Sequence, residues 1–347
     1  MKKILCLLPA VLITLSSCTS RPADQYRFEF TELDTGVTES LRALYVVDEN
    51  VIWASGTKGT YLVSNNGGRS WKTGTVALAK ENDFRSIHAW DENRAMVFGV
   101  SGPVFGYLTE DGGDSWMIVY KDNREAVFFN SLKFSDSTHG IALSDPVEDR
   151  FLVLRTTDGG TRWLTVKDLP EAKDGEANFA ASNSCIETLP SGKAWFVTGG
   201  VSARVFYSTD FGKSWRVADT PLVHGQNSTG IFAVAFKNDR EGIIVGGDYE
   251  EPDQNQNIAA TSIDGGATWQ LAETMPQGFR SCVQHVSAPN IELYVAVGKS
   301  GCDYSTDNGR HWRHITHEGY FTCRVVPGQA SLFAAGSKGR IAKIELK

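Results

Sequence analysis

The chain has 347 residues, a formal net charge of −7 and 41% hydrophobic residues. Its acidity argues against general nucleic-acid binding, because neutralisation of phosphates by Lys and Arg supplies most of that affinity. The length exceeds that of a typical single domain unless the chain forms a repeat or barrel architecture.

The N-terminus has the pattern of a targeting segment. Lys2 and Lys3 precede an apolar stretch over residues 4–15, which is too short to span a membrane comfortably. No later apolar run approaches the length of a membrane span. We therefore expect a secreted protein with a globular body.

The targeting segment ends in Leu-Ser-Ser-Cys, which resembles a bacterial lipobox, with the cysteine at Cys18. The resemblance implies a lipoprotein signal peptide over residues 1–17, lipidation of Cys18 and a tether over residues 18–25. It also implies a location in the bacterial cell envelope, anchored by lipid on the periplasmic side or at the cell surface. An ordinary secretory signal cut nearby is the alternative.

One eight-residue pattern occurs six times: Ser or Thr, any residue, Asp, any residue, Gly, two further residues and Trp. The copies are Ser64–Trp71, Thr109–Trp116, Thr156–Trp163, Ser208–Trp215, Ser262–Trp269 and Ser305–Trp312. Successive tryptophans are 45, 47, 52, 54 and 43 positions apart. This period fits four short strands per blade of a β-propeller.

The pattern has the chemistry of a hairpin turn. Asp or Asn at the third position can accept hydrogen bonds from following backbone N–H groups, and Gly at the fifth position permits a positive φ. The tryptophan then begins the next strand and packs over the turn. One acidic residue per copy is too few for a calcium site. We therefore expect a structural role for Asn66, Asp111, Asp158, Asp210, Asp264, Asp307, Trp71, Trp116, Trp163, Trp215, Trp269 and Trp312.

A seventh unit lacks this pattern. Residues 332–339 resemble residues 52–59 of the first unit, but no eight-residue copy follows them. Residues 26–33 form a spare strand that can pair with this last unit and close the ring, which removes exposed sheet edges. The sequence therefore predicts an all-β, seven-bladed β-propeller over residues 26–347, with the N-terminal strand completing the last blade.

Alignment of the blades predicts a basic sector on the face where each innermost strand begins, here called the top face. Its candidate residues come from blades 1, 2, 6 and 7: Arg42, Arg85, Arg280, Arg324, Lys58, Lys299 and Lys338. Blades 3 and 5 carry acidic insertions instead, at residues 145–149 and 248–253. Such a sector can bind an acidic protein partner; a solvated surface with coincidental clustering is the alternative.

Four cysteines follow the lipobox. Cys282, Cys302 and Cys323 are expected near one another, and a disulfide between Cys282 and Cys302 is favoured, with Cys185 unpaired. A metal or redox site formed by Cys282 and Cys323 with His88 and His285 would lack the usual ligand spacing. We therefore predict no cofactor and no metal.

The repeated motif resembles the Asp-box, or BNR, repeat, and the chain as a whole resembles the Ycf48/Hcf136-like BNR-repeat proteins. The resemblance implies a lipid-anchored propeller that serves as an assembly or stability factor for a membrane complex and binds a protein through an arginine-rich face. It implies no catalysis. An oxidoreductase role finds no support, because the chain has no Gly-x-Gly-x-x-Gly after a strand and no CxxC.

More distantly, the chain is similar to sialidases, which makes a glycoside hydrolase the enzymatic alternative. That family uses an arginine triad and a tyrosine activated by glutamate, for which Tyr45, Tyr304 and Glu187 are the candidates. The Arg-Ile-Pro signature of sialidases is absent. Glycan binding without turnover is a further alternative, with Tyr249 and Tyr320 as candidate exposed aromatics.

Overall fold

The computed structural model describes residues 26–347, in which seven β-sheets are arranged as the blades of a propeller. The predicted fold is confirmed. The signal peptide, Cys18 and the tether predicted for residues 1–25 lie outside the described residues. Residues 26–347 contain no helix, and therefore none that could cross a bilayer.

Blades 1 to 3 are four-stranded antiparallel meanders in chain order. Blade 1 contains β2 (Leu41–Val46), β3 (Ile52–Gly56), β4 (Thr60–Ser64) and β5 (Lys72–Thr75). Blade 2 contains β6 (Phe84–Ala89), β7 (Ala95–Gly99), β8 (Val104–Thr109) and β9 (Met117–Asp122). Blade 3 contains β10 (Phe129–Phe134), β11 (Gly140–Val147), β12 (Arg150–Thr156) and β13 (Leu164–Thr165).

Blades 4 to 6 follow the same order, with one addition to blade 5. Blade 4 contains β15 (Ile186–Thr188), β16 (Ala194–Val197), β18 (Arg204–Ser208) and β19 (Arg216–Asp219). Blade 5 contains β20 (Thr229–Phe236), β21 (Gly242–Asp248), β22 (Ala259–Ser262) and β23 (Gln270–Leu271), extended by β17 (Gly199–Gly200) and β14 (Glu176–Ala177). Blade 6 contains β24 (Cys282–Ala288), β25 (Ile291–Gly298), β26 (Gly301–Ser305) and β27 (Arg313–Thr316).

Blade 7 joins the two ends of the described chain. It contains β28 (Thr322–Val325), β29 (Ser331–Ala335) and β30 (Ile341–Leu346), and its outermost strand is β1 (Phe28–Leu33). β1 pairs antiparallel with β30, with Phe28 opposite Leu346. The predicted closure by the N-terminal strand is therefore confirmed.

Burial falls from the axis to the rim of each blade. Every residue of β3 and β7, the second strands of blades 1 and 2, is buried, whereas the residues of β5 and β9 at the rim are exposed or half-buried. The second strands are apolar on both faces because a neighbouring blade covers each face. The core therefore consists of layers between blades rather than a single centre.

The six repeated turns have one geometry and lie on the bottom face, between the third and fourth strands. In each copy the first-position hydroxyl donates to the third-position side chain at 2.8–3.0 Å and accepts from the fifth-position glycine N–H at 2.9–3.0 Å. The third-position oxygen accepts from the seventh-position N–H at 2.8–3.0 Å. The side chains thus satisfy backbone groups that the hairpin leaves without strand partners.

The fifth-position glycine also sets how closely two blades approach. Its φ lies between 73° and 89° in all six copies. At Gly68 a Cβ would lie 2.5 Å from Leu33 of blade 7, and at Gly113 it would lie 2.3 Å from Tyr61 of blade 1. Each turn therefore packs against the preceding blade, where a side chain at this position has no room.

Blade 7 has no such turn, and aromatic side chains of the N-terminal segment pack there instead. Phe28 lies 5.1 Å, between ring centroids, from Tyr304 of blade 6, and Tyr26 contacts the same ring edge-on at 6.2 Å. Phe30 stacks on Tyr320 at 6.2 Å. These aromatic contacts pack the edge of blade 7, where the repeated turn is missing.

We expect Trp163→Ala to lower the free energy of unfolding by about 3 kcal/mol, because Trp163 packs edge-on against Phe98 of blade 2 at 5.4 Å and against Phe134. Denaturant titration followed by circular dichroism measures the change. Leu164→Ala is the matched control, since Leu164 is 64% exposed and its loss should cost less than about 0.5 kcal/mol. Equal destabilisation by both variants would contradict a role of Trp163 between the blades.

Candidate functional site

A pocket of about 400 Å³ opens at the centre of the top face. Its walls come from the starts of inner strands, from turns after second strands and from the segment before blade 4. The lining residues are Arg42, Arg85, Phe128, Asn178, Phe179, Ala180, Ala181, Phe232, Tyr249, Phe279, Ser281, Lys299 and Phe321. No carboxylate is among them.

One wall of the pocket is a cluster of aromatic rings. Phe179 and Phe232 stack in parallel with their centroids 3.9 Å apart, and Phe279 meets Phe232 edge-on at 4.6 Å. Tyr249 contacts the stacked pair edge-on and is 38% exposed. The cluster presents packed aromatic rings, which suits binding of an apolar side chain.

Basic groups line the same pocket. The guanidinium of Arg42 lies over the Phe321 ring, 4.3 Å from its centroid. Burial and the nearby charge of Arg85 lower the pKa of Arg42 from its usual value. Arg85 pairs with Asp83 at 2.7 Å, and Lys299 donates to the backbone oxygen of Tyr249. Because no carboxylate of residues 26–347 is within ion-pair distance of Arg42 or Lys299, the pocket has unbalanced positive charge.

The chain fills the axis directly after two residues that line the pocket, Ala180 and Ala181. Residues 182–184, which precede blade 4, cross the propeller axis and are called the plug here. Asn183 has a φ of 57°; its amide donates to the Ile87 oxygen in blade 2 at 2.9 Å and accepts from Leu132 N in blade 3 at 2.8 Å. Ser182 donates to the Ser281 oxygen of blade 6. The plug thus joins blades that are distant around the ring, and sequence periodicity gave no signal for it.

Arg324 belongs to the plug and not to the exposed basic sector, which corrects its assignment as a partner-binding residue. It is 7% exposed, and its Nη2 donates to the backbone oxygens of Ser182 and Asn183 at 3.0 and 2.7 Å. Its Nη1 donates to Ser184 Oγ at 3.0 Å. A guanidinium held by this many acceptors cannot also bind an external partner.

Arg280 is likewise a structural residue, against the prediction. It is fully buried, and its Nε donates to Asp303 Oδ2 at 2.6 Å. A buried charge needs such a partner. The charged Asp303, placed within the apolar third strand of blade 6, was the signal in the sequence that Arg280 has an internal partner.

Lys58 and Lys338 lie on the top face but outside the pocket lining. Both are exposed and have positive φ values, 59° each, and Lys58 pairs with Glu39 at 3.4 Å. Of the seven predicted basic residues, the structure therefore brings together three: Arg42, Arg85 and Lys299. The aromatic wall was the part of the pocket that the sequence reasoning missed.

The disulfide predicted between Cys282 and Cys302 is wrong. Cys282 on β24 and Cys302 on β26 are both paired with Val297 of β25, the strand between them. Two strand spacings, about 10 Å, therefore separate the two cysteines. A disulfide requires Cα atoms within about 7 Å. Cys302 donates instead to the Glu318 oxygen, and all four cysteines of residues 26–347 are free thiols.

The candidate sialidase residues do not form an activated pair. Burial raises the pKa of Tyr45 to about 12, which opposes its use as a nucleophile. Glu187 pairs with Lys133 at 3.0 Å, and Tyr304 packs against Phe28. With Arg280 and Arg324 internally paired, the arginine triad is also missing from the pocket.

Of the remaining candidate site residues, one lies at the pocket and the others are buried in the core. Tyr249 lies at the pocket, but Tyr320 is 1% exposed and donates to Glu32 at 3.0 Å, so that its assignment as an exposed aromatic is wrong. His88 lies among aromatic rings, away from the cysteines, and burial lowers its pKa to about 3. Within residues 26–347 no group of three or more His, Cys, Asp or Glu residues is arranged to hold a metal ion.

Asp145 connects the acidic insertion of blade 3 to the pocket. Its Oδ1 accepts hydrogen bonds from Asn178 N at 2.9 Å and from Asn130 Nδ2 at 3.0 Å. Burial raises the pKa of Asp145 to about 6, against the effect of these two hydrogen bonds. The folded protein therefore binds the carboxyl proton of Asp145 more tightly than the unfolded chain does.

The contribution of Asp145 to stability should consequently fall as the pH rises from 4 to 6, because the unfolded carboxyl ionises first, near pH 3.8. Asp145→Asn keeps an acceptor for both donors. We expect its free energy of unfolding relative to the wild type to increase by about 2–3 kcal/mol between pH 4 and pH 7. Urea titrations at both pH values test this, with Glu148→Gln, at an exposed neighbour, as the control. A pH-independent difference between Asp145→Asn and the wild type would refute the assignment.

Comparisons with known proteins agree with the fold. The BNR/Asp-box repeat family matches residues 206–217. A stretch of 61 residues is 36% identical to the photosystem II assembly lipoprotein Ycf48 of Synechococcus sp. (strain CC9902) and covers 18% of this chain and 18% of that protein.

Solved structures match over nearly the whole described chain. The structure of YCF48 bound to D1 peptide superposes with a TM-score of 0.64 at 17% identity, covering 92% of this chain and 96% of that one. YCF48 from Cyanidioschyzon merolae gives 0.60 at 15% identity, covering 91% and 98%. The GH74 xyloglucanase of Xanthomonas campestris gives 0.59 at 12% identity, covering 91% of this chain and 53% of that one.

The six turns, the ring of seven blades and the repeat match define a β-propeller of BNR repeats. This is the fold of the YCF48 structures, and one 61-residue stretch of the chain is also similar in sequence to the Ycf48 lipoprotein.

Proposed function

We propose that this protein is a non-catalytic binding propeller, an assembly or stability factor for a membrane complex, and that its top-face pocket binds an extended segment of a protein partner. The observation that carries the proposal is the combination of Arg42, Arg85 and Lys299 with an aromatic wall in one pocket. Such a pocket suits a peptide that presents a carboxylate next to an apolar side chain.

Charge supports this partner chemistry. The pocket is basic although the whole chain has a net charge of −7. The electrostatic potential in the pocket therefore favours an anionic group of the ligand. The exposed acidic residues of blade 5, such as Glu250 and Glu251, lie beside it on the same face. They would repel acidic segments that approach in other positions and thereby fix the orientation of the ligand.

The comparisons support the same class of ligand. A propeller of the same fold has been solved with a bound peptide, and the curated relative is described as an assembly lipoprotein. We propose the corresponding location for this chain: the bacterial envelope, anchored by lipid on Cys18, with a membrane-associated protein as the partner. A glycan is the alternative ligand of the pocket.

We expect the double variant Arg42→Glu/Arg85→Glu to lose its partner. Affinity capture with cross-linking from native envelopes, quantified by mass spectrometry, should yield a membrane protein with the wild type and at least about tenfold less of it with the variant. Circular dichroism verifies that the variant is folded.

The matched control is Lys58→Glu/Lys338→Glu, which makes the same charge change on the same face outside the pocket lining. It should retain most of the captured partner. Equal losses in the two double variants would indicate a general charge effect and would contradict binding in the pocket. If the wild type captures no protein, the scaffold proposal fails, and glycan arrays become the appropriate assay.

The proposed anchor has a separate test. Cys18→Ala should abolish metabolic labelling by radiolabelled palmitate and should move the protein from the membrane fraction to the soluble fraction, because the acylated residue is lost. Ser17→Ala keeps a small residue before the cysteine and should behave as the wild type. Unchanged labelling in Cys18→Ala would rule out lipidation at this position.

A further inference from the structure

Two buried thiols face each other across the junction of blades 6 and 7, beside the plug. Cys282 begins the inner strand of blade 6, and Cys323 lies in the inner strand of blade 7. Both are completely buried, and their sulfur atoms are 3.8 Å apart. At this distance the two sulfurs are not covalently bonded, and one thiol can donate a hydrogen bond to the other sulfur.

The surroundings of the two sulfurs are unequal. The Cys282 sulfur is approached by Cys323 N at 3.4 Å, by Arg324 Nη1 at 3.4 Å and by Ser184 Oγ at 3.2 Å. Backbone N–H and guanidinium groups can only donate hydrogen bonds, so these contacts favour a thiolate at Cys282. Cys323 is therefore left as the protonated partner of the pair.

We propose that Cys282 and Cys323 form an oxidation site: a hydroperoxide oxidises Cys282, and the pair then closes to a disulfide that links blades 6 and 7 at the axis. The pocket is the route that we infer for the peroxide, since Ser281 and Phe321 line the pocket and lie one and two residues before the respective cysteines.

The reaction balances with hydrogen peroxide as the oxidant. The Cys282 thiolate attacks one oxygen, the O–O bond breaks, and hydroxide leaves and takes up a proton as water, so that a sulfenic acid forms. The Cys323 sulfur then attacks the sulfenic sulfur, the S–O bond breaks, and the oxygen leaves as a second water with the thiol proton. The two thiols lose two electrons in total, and the peroxide gains them.

The titration behaviour of the thiols agrees with the geometry. Burial by itself would raise the pKa of Cys282, but the Cys323 thiol, the charge of Arg324 and the Ser184 hydroxyl together lower it to about 5. The pKa of Cys323 is raised because it donates to Cys282 and is buried. Burial raises the pKa of both Cys185 and Cys302 to about 12, so the other two thiols of residues 26–347 should react far more slowly.

Oxidation also has a local consequence. In a disulfide the Cys282 sulfur is no longer an anion, so Arg324 loses a charged acceptor while it keeps the plug oxygens. The new covalent bond links the inner strands of blades 6 and 7, at the junction that has no repeated turn. We therefore expect the oxidised protein to unfold at a higher temperature than the reduced protein.

The experiment treats the folded full-length chain with hydrogen peroxide, blocks the remaining thiols and maps the peptides without reduction. The expected product is one cross-linked species that contains Cys282 and Cys323, lighter by two hydrogens than the sum of its peptides. A melting temperature that rises on oxidation and returns on reduction should accompany it. Absence of this species, a cross-link to Cys302, or an unlinked sulfinic acid on Cys282 would each overturn the proposal.

Variants separate the proposal from general oxidation. Cys323→Ser should abolish the cross-link and the rise in melting temperature, whereas Cys302→Ser should leave both unchanged. Measured at pH 4, below the pKa of Cys282, Ser184→Ala and Arg324→Met should slow the oxidation of Cys282 by about tenfold for each unit by which this pKa rises, because the thiolate fraction falls in that proportion. Ser184→Ala removes only one hydroxyl and keeps the test valid if Arg324→Met does not fold. An unchanged rate in folded Ser184→Ala and Arg324→Met would contradict an activated thiolate.

Discussion

The approach of each repeated turn to the preceding blade is the constraint on which the ring depends. A glycine with positive φ lets the turn backbone approach an apolar side chain of the neighbouring blade, and the Ser/Thr–Asp hydrogen bonds hold that backbone shape. Because the same contact recurs at six junctions, each turn fixes the spacing and tilt of its own blade relative to the preceding one. The seventh junction has no such turn and relies on rings such as Phe28 and Phe30.

This rigid ring allows its centre to be irregular. The plug leaves the regular blade pattern, yet its polar groups are satisfied by inner-strand atoms of distant blades, including Ile87 O and Leu132 N. With the axis filled in this way, the top face becomes a shallow pocket rather than the mouth of a channel. The plug follows directly on Ala180 and Ala181 of the pocket lining, and the other walls of the pocket come from several blades of the ring.

The sequence predicted the ring well because the repeated turn is a local motif with a distinctive composition. The number of blades, the closing strand and the place of the Asp-boxes all follow from spacing. The site was predicted only in part: Arg42, Arg85 and Lys299 meet at the pocket, but Arg280 and Arg324 turn inward. The spacing of the repeats places a residue within its blade but does not identify the residues that its side chain contacts. Arg280 is oriented by Asp303 and Arg324 by the plug, and both contacts are with residues distant in sequence.

The pairing of the first and last described strands has a consequence for how the molecule is presented to its surroundings. Inner strands run from the top face to the bottom face, so that in blade 7 β30 ends at the bottom and β1 starts there, with Phe28 beside Leu346. A surface that holds the protein through residues before Tyr26 thus holds it by the underside of one blade. The pocket opens on the opposite face of the ring from this point of attachment.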